Sequence, residues 1–147
     1  MKVKNLKLLA ISEEDLKVIA AHLQDAIVSI QDIANLKKNR IFLIQLNRFM
    51  WEDIEKGVFR KSKRIKTVLK FDNVINVLSK NINVKNNKHF LDFLTLESSL
   101  LPDKSYEINL IFSGDVMIKV CVELIDVTLD DQGSPWESKI TPKHNFL

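Results

Sequence analysis

Glycine and proline are scarce in this chain, three of each in 147 residues, and there is a single cysteine. Gly57, Gly114 and Gly133 stand far apart, so no glycine-rich loop is present to turn backbone amides toward a phosphate. Cys121 can form no internal disulfide and sits in the apolar run 117–124, which points to a reducing compartment, with the cytoplasm as the expected location. The three histidines, His22, His89 and His144, have no Cys/His partner at ligand spacing, and no metal or other cofactor is expected. Long hydrophobic runs are missing too. The N-terminal apolar stretch 8–11 is too short for a signal sequence and runs into Ser12-Glu13-Glu14-Asp15, and no stretch is long enough to cross a bilayer as a helix.

What remains is 46% hydrophobic and 28% charged, within the range of one globular domain with a sizeable core. The net charge of +3 hides a division along the chain. Residues 1–90 carry 18 Lys and Arg against 9 Asp and Glu, and residues 91–147 carry 4 against 10. A basic first part and an acidic second part allow either a polyanion surface or a self-complementary pair of surfaces.

Ser12 followed by three acids is a helix start: the hydroxyl can accept from an amide near Asp15, and the acids suit the positive end of the helix dipole. Leu16, Ile19, Ala20 and Leu23 then recur at helical spacing, which predicts one amphipathic helix over 12–26. Beyond it the period changes to two. Strands are expected over 26–30, 33–36, 40–49, 63–71, 74–81, 89–97, 105–113 and 116–129. Lys37-Lys38-Asn39-Arg40 and Phe112-Ser113-Gly114-Asp115 are expected as hairpin turns, the second because Gly-Asp supplies positive φ. Ile108, Leu110 and Phe112, like Ile118, Val120 and Val122, alternate with polar residues, so these strands bury one face only. The expected fold is therefore α+β: a mostly antiparallel sheet or partly closed barrel of about seven or eight strands, with one N-terminal helix. Period is lost from Asp130, and 130–147 is expected as an irregular tail unless Trp136 pins it.

The words His22-Leu23-Gln24-Asp25-Ala26, Asn47-Arg48-Phe49 with Trp51-Glu52, Phe71-Asp72-Asn73-Val74 and Gly133-Ser134-Pro135-Trp136 resemble an uncharacterised alphaproteobacterial family, domain of unknown function 2948. The likeness covers almost the whole chain. It implies a bacterial, intracellular, single-domain protein and carries over no functional residue. The hairpin at Gly114 departs from the glycine-rich hairpin of that family.

Three functional readings follow from the residues themselves. The first is a non-enzymatic module that binds a protein partner, or itself as a homodimer, through Arg48, Trp51 and Glu52. Tryptophan and arginine concentrate at the energetic centres of interfaces, and here they close an apolar strand, with Arg48 paired to Glu52 or to a carboxylate of the acidic C-terminal part. The second is a polyanion binder, for nucleic acid or anionic lipid headgroups, through Arg60, Lys61, Lys63, Arg64, Lys66 and Lys70. On a strand from Lys63, the cations Arg64, Lys66 and Lys70 share a face opposite Ile65, Thr67, Leu69 and Phe71; the plainer reading is a solvated or edge strand kept from sticking by its charges. The third assembles a catalytic site from turn aspartates and a histidine, such as Asp32, Asp72 and His22, for which the spacing supplies no geometry. Cys121 reads as a small buried apolar group. The balance favours a non-enzymatic role.

Overall fold

The computed structural model describes residues 5–51, 63–83, 85 and 89–137. A short strand β1 (Lys7–Ala10) precedes helix α1 (Glu13–Leu23). Ser12 caps the helix, its hydroxyl accepting from the Asp15 amide at 3.2 Å, while the Asp15 carboxylate accepts from the Ile11 amide at 3.0 Å. The helix stops three residues short of the expected end because Asp25 takes a left-handed conformation, φ 63, that a short polar side chain tolerates.

Strands β2 (Ile27–Ser29), β3 (Ile33–Leu36), β4 (Ile41–Phe49), β5 (Lys63–Phe71), β6 (Val74–Lys80), β7 (Phe90–Leu100), β8 (Tyr106–Phe112), β9 (Val116–Val122) and β10 (Val127–Glu137) complete the fold. All the pairings are antiparallel, in the order β1-β10-β5-β4-β2-β7-β8-β9-β6, with β3 also on β4. The antiparallel sheet with one helix is as expected, and it is not closed. The strand number is corrected from seven or eight to ten.

The two expected hairpins form. Arg40 adopts φ 58 at the end of the β3–β4 turn, and Gly114 and Asp115 adopt φ 76 and 59 between β8 and β9. The expected strand 116–129 is two strands, broken at Glu123–Asp126, which lets the chain pass from one half of the sheet to the other. Phe71-Asp72-Asn73-Val74 makes the matching corner between β5 and β6. There Asn73 has φ 58, the Glu123 amide donates to the Asn73 carbonyl, and the Asp72 amide donates to that of Asp126. These paired corners fold the sheet over α1, so its inner faces share one apolar core reaching from Leu16 and Leu23 through Phe42, Ile44, Leu69 and Phe93 to Val120 and Leu129.

Of the expected irregular tail 130–147, residues 130–137 form strand, and 138–147 lie outside the described residues. β10 continues to Glu137 along β5, absorbing Gly133-Ser134-Pro135 as an irregularity between Gln132 and Trp136, with Gly133 at φ 70. β5 itself is not an edge strand: β10 and β4 flank it. Its alternation is as expected, with Ile65, Thr67, Leu69 and Phe71 buried and Lys66 exposed.

Candidate functional site

The end of β4 and the start of β5 meet the α1–β2 turn and β7 at one rim of the sheet. Parity decides which side chains reach the surface. Phe42, Ile44 and Leu46 point inward, and Arg48 is in phase with them. Its guanidinium is fully buried and forms a two-pronged pair with Asp131 of β10, Nε to Oδ1 at 2.8 Å and Nη2 to Oδ2 at 2.6 Å, while Nη1 donates to the Phe49 carbonyl at 3.0 Å. The second Asp131 oxygen also accepts from the Leu6 amide at 2.9 Å, and the Asp131 amide returns a bond to the Leu6 carbonyl. Burial alone would raise the Asp131 carboxyl, but the hydrogen bonds from Arg48 and Leu6 outweigh it and hold the group below its ordinary value. The partner expected for Arg48 in the acidic C-terminal part is thus Asp131, and the pair ties β4, β10 and the strand preceding α1 together inside the protein. In this position Arg48 offers nothing to a partner at the surface.

The outer layer is built from residues of opposite parity. Phe49 lies across from Arg64 in the β4–β5 register, and Trp136 lies across from Arg64 in the β10–β5 register. The Arg64 guanidinium carbon sits 3.7 Å above the Phe49 ring, and Nη1 donates to the Asn47 carbonyl at 2.8 Å. Trp51 is half-buried; its ring centroid lies 5.6 Å from that of Phe49, and its Nε1 donates to the Gln24 carbonyl at 2.9 Å. Burial pulls the Arg64 guanidinium below its usual range, against the carboxylates of Asp92 and Asp25, and an arginine so shifted keeps its charge at neutral pH. A cation stacked on an aromatic ring, with Trp136, 41% exposed, across from it in register, can grip a planar or apolar group and pair with a carboxylate.

The other expected positions are scattered. Glu52, Arg60 and Lys61, with Phe59, lie outside the described residues. Lys66 and Lys70 share the outer face of β5 with Arg64, but Lys70 lies 3.7 Å from Asp72, and Asp130 stands on the same face opposite Val68. Lys63 is half-buried at the start of the strand. His22, Asp32 and Asp72 sit on α1, on the 3-10 turn before β3 and at the β5–β6 corner. Among the described residues no group of three or more His, Cys, Asp or Glu is placed to hold a metal ion. Cys121 is half-exposed on the outer side of β9 opposite Asn76, where burial and the Glu107 carboxylate push its thiol up; the expectation of a core residue is corrected. No helix among the described residues is long and apolar enough to cross a membrane.

Fold and rim together define an α+β protein with an open antiparallel sheet, an internal arginine–aspartate pair and an aromatic–cation patch at one end. The chain belongs to the family described as protein of unknown function (DUF2948), whose pattern matches residues 6–144. No curated protein and no solved structure matches the chain.

Proposed function

We propose that this chain is a non-enzymatic protein-interaction module in the cytoplasm, and that its contact surface is the rim formed by Trp51, Phe49, Arg64 and Trp136. The observation that carries the reading is the Arg64 guanidinium laid on Phe49, whose ring also meets that of the partly exposed Trp51, with the exposed Trp136 across from Arg64 in register, the residue types that dominate interface energetics. Arg64 here takes the role first assigned to Arg48, and Arg48 with Asp131 serves as the internal brace that sets the rim. Affinity purification from the native cell tests the reading: Trp51→Ala and Arg64→Ala should lose the partner recovered with the wild type while unfolding at nearly the same temperature. Recovery of the same partner with both variants would contradict it.

The alternative, a polyanion binder, draws on the outward alignment of Arg64, Lys66 and Lys70 on β5. That reading requires retention on RNA or anionic vesicles that falls steeply with salt and disappears in Arg64→Glu/Lys66→Glu. The cation–aromatic stacking of Arg64 and the acids Asp72 and Asp130 along the same face favour the protein partner.

A further inference from the structure

A second surface lies at the other end of β4, away from the rim. The sheet folds over without closing: β6 pairs only with β9 and β3 only with β4, so among the described residues each keeps one unpaired edge. At one end β6 is held to the β3–β4 turn, where the Val74 amide donates to the Arg40 carbonyl at 3.0 Å and Arg40 Nε donates to the Val74 carbonyl at 3.3 Å. Beyond that point an open cleft of about 340 Å³ separates the two edges, lined by Ile33 and Asn35 of β3, Val77 and Ser79 of β6, and floored by Phe42 and Ile118. These are inward-facing positions of both strands, as their register opposite Ile44, Phe42, Val120 and Ile118 requires. The cleft therefore has the shape of a missing stave.

β6 is protected as an edge only toward its ends, by an irregularity in its pairing with β9 between Val74 and Asn76 and by Lys80, which lies 3.4 Å from Asp115. Between them residues 76–79, Asn-Val-Leu-Ser, contain no charge and no proline, and Leu78 is 56% exposed. Such an edge is a template for another strand. A neighbouring groove that shares Asn35 and Val77 with the cleft is lined by Lys37 and Arg40, Lys38 adjoins them in sequence, and no acidic side chain lines either hollow among the described residues. Arg40 is engaged by Glu123 at 2.6 Å, whereas neither Lys37 nor Lys38 has an ion-pair partner among the described residues.

We infer that this cleft binds an extended segment of another protein by strand addition on β6, with alternate apolar side chains entering the cleft and an acidic residue of the segment at the Lys37–Lys38 end. Unpaired backbone on two sides suits a peptide; a small apolar ligand would fill the floor and leave both strand edges unused. A second copy of the chain fits less well, because its own acidic and apolar alternation, Val127 to Asp131, is already consumed between β1 and β5. This inference is independent of the rim.

Selection of a displayed library of random dodecapeptides on the intact protein provides the probe. The expected outcome is enrichment of peptides alternating β-branched or aromatic residues, with Asp or Glu toward one end. A selected peptide, measured by fluorescence anisotropy, should bind Lys37→Glu/Lys38→Glu about fivefold more weakly and Val77→Arg not measurably, and bind Trp51→Ala as it binds the wild type. Ser79→Arg, at an exposed position of the same lining, serves if Val77→Arg fails to fold by circular dichroism. Three results would overturn the proposal: no peptide enriched on wild type over the arginine variant, binding that depends on Trp51 or ignores the lysines, or a dimer in sedimentation that the arginine variant dissolves.

Discussion

Arg48 and Arg64 bring the same guanidinium to opposite faces of the sheet, and their energetic roles differ accordingly. Two buried ions are held only because both are fully hydrogen-bonded, so removing one partner leaves an uncompensated charge. Arg48→Met is therefore expected to lower the unfolding free energy in urea by about 3 to 5 kcal/mol, whereas Arg64→Ala, at a partly exposed site, is expected to change it by about 1 kcal/mol or less. The double variant Arg48→Met/Asp131→Leu should recover most of the loss, since the uncompensated charge is then gone. A pH titration isolates Asp131. Its carboxyl is held below its ordinary value in the folded chain, so the unfolded chain binds the proton more readily. Its contribution is complete above the ordinary carboxylate value, about pH 4, and is lost as pH falls through the folded value. Denaturant midpoints measured down the pH scale should fall less steeply for Asp131→Asn than for the wild type; equal slopes would remove Asp131 from this role.

Among the elements, α1 depends on its cap and the β8–β9 hairpin on a left-handed turn. Ser12→Ala should cost about 1 kcal/mol by removing the acceptor for the Asp15 amide. Gly114→Ala places a side chain at φ 76 with no other contact in the way, so its cost, about 1 to 2 kcal/mol, is conformational alone. Thermal or urea unfolding reads both. β5, whose alternation runs over nine residues, was legible in the sequence, β3 occupies its expected residues before the Lys-Lys-Asn-Arg turn, and the cap of α1 forms as the sequence requires. β1 was not, because Lys-Leu-Leu-Ala is too short to show alternation and its strand state is imposed by β10. The end of β10 was hidden by Gly133-Ser134-Pro135, turn residues that the β5 pairing accommodates as an irregularity. At the candidate site Trp51 was legible as an aromatic closing an apolar strand. The inward aim of Arg48 was present in the alternation of Phe42, Ile44 and Leu46, but the charge masked the parity. The meeting of Arg64 with Phe49 and Trp136 depends on register between distant strands, which no local pattern encodes.

The whole molecule is a sheet folded over one helix, braced inside by Arg48 and Asp131 and left open between β3 and β6. Both proposed surfaces follow from that frame, since the brace holds the rim and the incomplete closure creates the cleft. Native-state amide hydrogen exchange tests the frame most directly. An interior strand has every amide bonded to a neighbour, whereas an edge strand leaves alternate amides to water. The account predicts slow exchange all along β5, and in β6 an alternation of slow amides bonded to β9 with fast amides facing the cleft. Uniform protection along β6, or fast alternate amides in β5, would contradict it.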